Sequence, residues 1–194
     1  SPHVLADAAR AVGALLVHVS SDCVFRGDRG PYTEDALPDA VDLYGRSKAR
    51  GEVRHPGVLT VRTSFVGHEV GTSHGLLAWL LSQRRPVPGF TNHLWSGVTA
   101  PFLARTLLDL ATRTNVRVTG VLHVHGEDTS KARLLRVLSR AFRRDVPVLD
   151  VEAVEPVDRR LRSAHLGDLG VRVPPLEELA HELAATAQGR GARS

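Results

Sequence analysis

Tyr44 and Lys48 have the side-chain types and the spacing for proton transfer. Residues four positions apart on a helix lie on the same face, with about 5–6 Å between their Cβ atoms. An ammonium group beside a phenol stabilises the phenolate form, so the phenol can exchange a proton near neutral pH. We therefore predict that this pair exchanges a proton with a sugar or alcohol oxygen.

A serine at a predicted strand end could act on the same oxygen. Residues 14–20 form a short apolar run, which is typical of a buried strand in a parallel sheet, and Ser21 follows directly. Open α/β sheets bind their ligands at the carboxyl ends of the strands. The hydroxyl of Ser21 is therefore expected to meet the substrate oxygen together with Tyr44.

Lysine is rare in this chain, which makes each lysine informative. Lys and Arg together number 25, yet Lys48 and Lys131 are the only lysines. Because the two cations are not interchangeable where a compact point charge is needed, Lys48 indicates a chemical requirement. Lys131 follows Ser130 near a helix start expected to be capped by Asp128 or Thr129, so we predict a surface or capping role for it.

The predicted elements alternate between helices and strands, which favours an α/β fold. Apolar residues at helical spacing predict a helix over residues 2–12, and a helix with Tyr44 and Lys48 is expected to begin at an Asp42 cap and to end by Pro56 and Gly57. The same patterns predict strands over 58–62, 120–124 and 147–154, helices over 74–85, 100–113, 128–143 and 176–187, and loops over 22–43 and 90–99.

Four ordered segments resemble one enzyme family. The chain resembles the extended short-chain dehydrogenase/reductases. Within them it is most similar to the dTDP-4-dehydrorhamnose reductase group with its RmlD-like substrate-binding domain. The resemblance is carried by the segments Val19–Phe25, Pro31–Asp35, Tyr44–Glu52 and Val61–Gly67. These blocks cover most of residues 14–100, and weaker similarity continues to about residue 180. The resemblance is therefore much more specific than a tyrosine and a lysine at helical spacing.

The resemblance implies an α/β fold, a partial Rossmann-like doubly wound parallel sheet with a small mixed α/β substrate lobe. Residues 1–85 would form the C-terminal part of an NAD(P)-binding domain with the Ser, Tyr and Lys of the site, 86–188 the substrate-binding lobe and returning elements, and 189–194 a flexible tail. Family members bind the cofactor pyrophosphate at a glycine-rich turn after their first strand. No such turn occurs here, so we expect the first half of the cofactor domain to be missing.

The resemblance also implies a role for each site residue. Tyr44 would be the general acid, Lys48 would hold the nicotinamide ribose and assist Tyr44, and Ser21 would donate a hydrogen bond to the substrate oxygen. Tyr44 and Lys48 would thus contact the cofactor as well. The remaining implied contacts are Ser64, Phe65 and Val66 with the cofactor, and Asp22, Asn92, His93 and Trp95 with the substrate.

Three functions are left open by the sequence. The resemblance favours reduction of a 4-keto nucleotide-sugar by NADPH or NADH, in deoxysugar or polysaccharide biosynthesis. A nucleotide-sugar epimerase or dehydratase would use the same Tyr and Lys but recycle its cofactor. A non-catalytic fragment that binds a partner enzyme, similar to the regulatory subunit of methionine adenosyltransferase, is the third reading.

Composition excludes several other classes of protein. The net charge of +4 comes from arginines distributed along the chain, which suits a nucleotide-sugar diphosphate, and no nucleic-acid partner is expected. The single cysteine excludes an internal disulfide framework and fits a cytoplasmic location. We also expect no signal peptide and no membrane span, since no apolar run approaches ~20 residues. His123 and His125 lack a third ligand, so no metal site is expected; a homodimer is compatible with the sequence.

Overall fold

The computed structural model describes residues 1–69, 74–113 and 119–191. Helices and strands alternate along the chain. The helices are α1 (Pro2–Ala11), α2 (Leu43–Gly51), α3 (Leu76–Ser82), α4 (Ala100–Thr112), α5 (Lys131–Ala141) and α6 (Leu176–Gly191). The strands are β1 (Leu16–Val19), β2 (Val58–Thr63), β3 (Phe65–Val66), β4 (Val87–Phe90), β5 (His93–Trp95), β6 (Val98–Thr99), β7 (Gly120–Val124), β8 (Thr129–Ser130), β9 (Val148–Val151) and β10 (Val157–Asp158).

A parallel three-stranded sheet forms the centre of the fold, in the order β1-β2-β7. Alternation along β2 divides its side chains between two faces. Leu59 and Val61 pack with residues of α4 and α6, whereas Val58 packs with Ala6 of α1. Helices therefore cover both faces of a parallel sheet, which confirms the predicted doubly wound α/β fold.

Smaller sheets accompany the central one in the described part of the chain. Strand β4 pairs in parallel with β9, β3 pairs in parallel with β6, and β5 lies between β10 and β8. A core built around α3, α5 and the N-terminal half of α6 joins these sheets. The predicted loop over residues 90–99 is wrong in this respect, because short strands with long-range pairing run through it.

A buried ion pair fixes the end of α2 against the sheet. Both Oε atoms of Glu52 accept hydrogen bonds from the guanidinium of Arg62 on β2, each at 2.8 Å, and Ser20 at the end of β1 donates to Glu52 at 2.7 Å. Burial by itself raises the pKa of Glu52, but the hydrogen bonds and charge of Arg62 outweigh it and hold that pKa below its ordinary value. One carboxylate thus ties together α2, β1 and β2.

Several predicted boundaries differ from the structure. Helix α2 ends at Gly51, well before Pro56 and Gly57, and α3 begins at Leu76. Helix α6 continues through Gly191, into the predicted flexible tail, and residues 192–194 lie outside the described part of the chain. Within the described residues, no helix has both the length and the apolar character required to cross a membrane.

Candidate active site

Ser21 lies at the carboxyl end of β1, where a 3₁₀ turn over Asp22–Val24 begins. Its Oγ accepts a hydrogen bond from the backbone N–H of Cys23 and donates one to Oδ1 of Asp22, each at 3.1 Å. Ser21 and Asp22 are both largely buried. The turn therefore holds the serine hydroxyl at the strand end that the sequence indicates.

The first turn of helix α2 packs against this 3₁₀ turn. Asp42 caps it by accepting a hydrogen bond from the N–H of Gly45 at 2.8 Å, which confirms the predicted cap. A Cβ atom at Gly45 would lie 2.2 Å from the carbonyl oxygen of Cys23. Only a glycine allows the helix to approach the turn this closely, so Gly45 sets the position of α2 relative to Ser21.

Lys48 connects α2 to β1. Its Nζ donates a hydrogen bond of 2.8 Å to the carbonyl oxygen of Val19, the last residue of the strand. Tyr44 lies one turn earlier on the same helix and is 58% exposed, so its phenol is accessible to a bound molecule. The structure therefore carries the tyrosine and lysine on a helix anchored at both the strand end and the serine turn.

A cavity of about 190 Å³ lies between the segment after β2 and helix α5. Its wall includes Ser64, Phe65 and Val66, which we predicted to contact a nicotinamide, and Trp95, which we predicted to contact substrate. The indole Nε1 of Trp95 donates a hydrogen bond of 2.8 Å to Oγ of Ser64. This bond joins residues 31 positions apart and brings predicted cofactor and substrate segments to one cavity.

Lys131 is the residue that sequence reasoning missed. It is half-buried and lines the same cavity, with Nζ 5.3 Å from the ring centroid of Trp95, and the helix cap predicted for Asp128 or Thr129 is made by Ser130. Burial lowers the pKa of Lys131 and raises the pKa of Asp22, while the charge of each opposes the shift of the other. The rarity of lysine, which drew attention to Lys48, was equally a signal here.

Asn92 and His93 lie in a different environment. The side-chain amide of Asn92 donates to the carbonyl of Ala153 at 2.8 Å and accepts from its N–H at 3.0 Å. His93 packs against Phe90 and its Nε2 lies 3.2 Å from the carbonyl oxygen of Glu155. Both side chains tie β5 to the segment after β9, and neither lines the 190 Å³ cavity, so their substrate contacts stay a prediction.

The two histidines on or after β7 both lie against backbone oxygens. Nδ1 of His123 lies within hydrogen-bonding distance of the backbone oxygens of Tyr32 and Arg162, and burial lowers its pKa to about 4. Nδ1 of His125 lies 2.9 Å from the carbonyl oxygen of Gly126. Among the described residues, no group of three or more metal-ligating side chains is present.

Gly45→Ala is expected to disrupt the site, since the new methyl group would overlap the Cys23 carbonyl. We expect a loss of about 1–3 kcal/mol in the free energy of unfolding and a further loss of any activity that needs α2 in place. Gly51→Ala is the matched control on the same helix, because its Cβ would lie 3.6 Å from the nearest atom. Urea unfolding of both variants measures the difference; equal stabilities would contradict the packing role of Gly45.

A parallel sheet with helices on both faces, and a serine turn at one strand end on which the helix of Tyr44 and Lys48 packs, defines a Rossmann-like fold of the short-chain dehydrogenase/reductase type. Solved structures support this class. The chain superposes with a TM-score of 0.81 on dTDP-4-dehydrorhamnose reductase from Bacillus anthracis in complex with NADP, at 24% identity over 95% of this chain and 70% of that one. It also superposes on the dTDP-glucose 4,6-dehydratase of the same organism in complex with NAD, with a TM-score of 0.75 at 13% identity, over 98% and 67% of the two chains.

The family follows from the sequence itself. The pattern of the RmlD substrate binding domain matches residues 1–165, so this chain belongs to that family. A curated dTDP-4-dehydrorhamnose reductase from Sinorhizobium fredii is 26% identical over 92% of this chain and 68% of its own length. Methionine adenosyltransferase 2 subunit beta from Xenopus tropicalis is 52% identical over 48 residues, which is 25% of this chain and 14% of that protein.

Proposed function

We propose that the chain is the catalytic and substrate-binding part of a reductase that uses NADPH or NADH to reduce the 4-keto group of a nucleotide-sugar, in deoxysugar or polysaccharide biosynthesis in the cytoplasm. The anchoring of α2 carries this proposal: Lys48 bonds to the last residue of β1, and Gly45 packs on the turn that Ser21 begins. Family membership and the bound NADP of a structural relative support it.

Each residue has a distinct proposed role. The hydroxyl of Ser21 would donate a hydrogen bond to the substrate carbonyl oxygen and share the negative charge that develops there. The exposed phenol of Tyr44 would protonate that oxygen. The ammonium of Lys48 would stabilise the phenolate that results and bind hydroxyls of the nicotinamide ribose.

The segment after β2 suits the nicotinamide end of the cofactor. Ser64, Phe65 and Val66 offer backbone groups and an aromatic ring, and Phe65 is 54% exposed, so the nicotinamide would lie against the exposed side of this segment and leave the cavity to the substrate. A reduced nicotinamide supplies the hydride in such reactions. The sequence contains no glycine-rich pyrophosphate turn after a strand, so activity is tested with the chain alone and with the chain joined to the part of the Sinorhizobium fredii relative that lies outside the match.

Cofactor stoichiometry tests the proposed function. With dTDP-4-dehydrorhamnose as substrate, we expect one NADPH or NADH to be oxidised for each sugar reduced, measured by nicotinamide absorbance and product chromatography. Conversion of a nucleotide-sugar without net cofactor consumption would instead identify an epimerase or dehydratase. No conversion of any keto-sugar by the joined protein would contradict the proposal.

Ser21→Ala is expected to lower the rate of reduction by about 10²-fold, because one donor to the developing oxyanion is lost. The matched control is Ser20→Ala, since Ser20 is the adjacent serine and donates to Glu52 rather than to Asp22. Steady-state kinetics of the two variants decides between the serines. A larger rate loss in Ser20→Ala would overturn the assignment of Ser21.

A second candidate function is a non-catalytic, partner-binding module. The 52% identity over 48 residues to the methionine adenosyltransferase subunit beta favours it for that stretch of the chain. We expect this function only if the joined protein is inactive and a methionine adenosyltransferase catalytic subunit binds the chain in a pull-down with purified proteins. Reductase activity without such binding would exclude it.

A further inference from the structure

The ammonium of Lys131 has unused hydrogen-bonding capacity. An ammonium carries three N–H donors. Among the described residues, no hydrogen bond or ion pair of Lys131 is found, and its nearest characterised contact is the face of Trp95 at 5.3 Å. Because burying polar donors without acceptors is costly, these N–H groups are poised to bind an acceptor in the cavity that Lys131 lines.

Electrostatics relates this lysine to the candidate catalytic serine. Ser21 donates to Oδ1 of Asp22 at 3.1 Å, and the charge of Asp22 favours the charged form of Lys131. The ammonium of Lys131 is thus within electrostatic range of the turn that Ser21 begins, although Lys131 lies 110 positions after Ser21 in the sequence. The nearby carboxyl group also balances the positive charge of Lys131, which favours a neutral acceptor over a second anion such as phosphate.

The shape and lining of the cavity limit what the acceptor can be. Its volume of about 190 Å³ is below the range of typical pockets for drug-sized ligands, which suits one sugar ring and not a dinucleotide. Trp95, Leu77 and Leu134 provide apolar surface. The polar groups come from Lys131, Ser64, His68 and Glu69. A pyranose ring with an apolar face and hydroxyl edges matches this combination.

We propose that Lys131 is a further substrate-binding residue, and that its ammonium donates a hydrogen bond to a hydroxyl oxygen of the substrate's sugar ring in the cavity next to Trp95. The inference rests on the proposed function for the presence of a nucleotide-sugar. It adds the residue that binds the sugar ring and the chemical group that is bound.

The lysine content of the chain allows a direct test. Because Lys48 and Lys131 are the only lysines, acetylation followed by mass spectrometry reports on each ammonium separately. We expect dTDP-rhamnose at about ten times its Kd to slow acetylation of Lys131 about tenfold. Thymidine diphosphate alone is expected to leave Lys131 as reactive as in the free protein, because it lacks the sugar ring.

A binding measurement provides a second readout that does not depend on amine reactivity. Lys131→Met is expected to raise the Kd for dTDP-rhamnose at least about tenfold while leaving the Kd for thymidine diphosphate unchanged. Lys131→Arg should retain part of the affinity. Arg136→Met is the control on the same helix, since Arg136 pairs with Asp150 and does not line the cavity. Circular dichroism confirms that each variant is folded.

The outcomes separate this inference from the proposed function. Wild-type affinity for dTDP-rhamnose in Lys131→Met would overturn the role of Lys131 and leave the reductase proposal intact. Protection of Lys131 by thymidine diphosphate alone would also overturn it, because the ammonium would then bind phosphate. Failure of dTDP-rhamnose, dTDP-glucose and UDP-glucose all to bind the wild-type chain would overturn the proposed substrate class, and the role of Lys131 with it.

Discussion

Tyr44→Phe is expected to lower the rate of keto-sugar reduction by about 10²–10⁴-fold, because the variant has no phenol to protonate the carbonyl oxygen. Tyr44 is 58% exposed, so the loss of its hydroxyl should leave the free energy of unfolding nearly unchanged. The rate is measured with the chain joined to a glycine-rich cofactor half, and cofactor affinity is measured separately by fluorescence titration. We expect the cofactor to bind the variant with little loss.

The chain offers a matched control for this substitution, since Tyr32 is the only other tyrosine. Its hydroxyl accepts hydrogen bonds from the N–H groups of Gly27 at 3.0 Å and Arg29 at 3.2 Å, and its ring stacks on Phe25. Tyr32→Phe should therefore cost about 1–3 kcal/mol of stability and leave the rate of the folded protein unchanged. A wild-type rate in Tyr44→Phe would end the assignment of Tyr44 as the general acid.

Arg62→Met is expected to lower the free energy of unfolding by about 3–5 kcal/mol at pH 7, because it leaves the Glu52 carboxylate buried without its partner. The side chains of Arg62 and Glu52 are 0% and 4% exposed. Arg62 also donates toward the carbonyl oxygen of Ala36 at 3.3 Å and lies 5.1 Å from the ring centroid of Phe25. Urea unfolding followed by circular dichroism measures the loss.

The pH dependence of this loss has a definite sign. In the wild-type protein the pKa of Glu52 is lowered, so the carboxylate contributes stability above its unfolded pKa of about 4.3, and this is lost as the pH falls through the folded value. In Arg62→Met, burial without a partner should raise the pKa of Glu52, which destabilises the fold above about pH 4.3. The stability difference between the two proteins should therefore be largest near pH 7 and shrink toward pH 4.

Two further variants test whether the loss comes from the unpaired buried charge. Replacing both partners, in Arg62→Met with Glu52→Leu, should recover much of the lost stability, since no unpaired buried charge remains. Arg105→Met removes one partner of the exposed Arg105–Glu182 pair and should cost no more than about 1 kcal/mol. Equal losses in Arg62→Met and Arg105→Met would contradict the role assigned to the buried pair.

Features that depend on neighbouring residues were predictable. The four-residue spacing of Tyr44 and Lys48 and the cap by Asp42 are local properties of one helix, and the structure has both. The strand before Ser21 followed from a run of consecutive apolar residues, but its predicted burial is wrong, because all four residues of β1, an outer strand of its sheet, are half-buried. For the helix, the features that decide these predictions, the i to i+4 spacing and the cap hydrogen bond, join residues only a few positions apart.

Features that depend on contacts between distant segments were not predictable. The complete burial of Arg62 depends on Glu52, which lies on another element, and no local pattern indicates this pair. The side chain of Asn92 bonds to Ala153, 61 positions away, which no local pattern indicates. The strands over the predicted loop 90–99 are two to four residues long and exist because of partners elsewhere in the chain.

The sequence by itself determined the alternation of helices and strands, the family, and the helix turn that carries Tyr44 and Lys48, because each of these depends on residues that are close together in the chain. Only the tertiary structure decided that Lys131 faces a cavity beside Trp95 and acts on Asp22. The physical reason is that the burial of an ammonium group and the charges around it depend on segments that are far apart in the sequence and meet only when the chain folds.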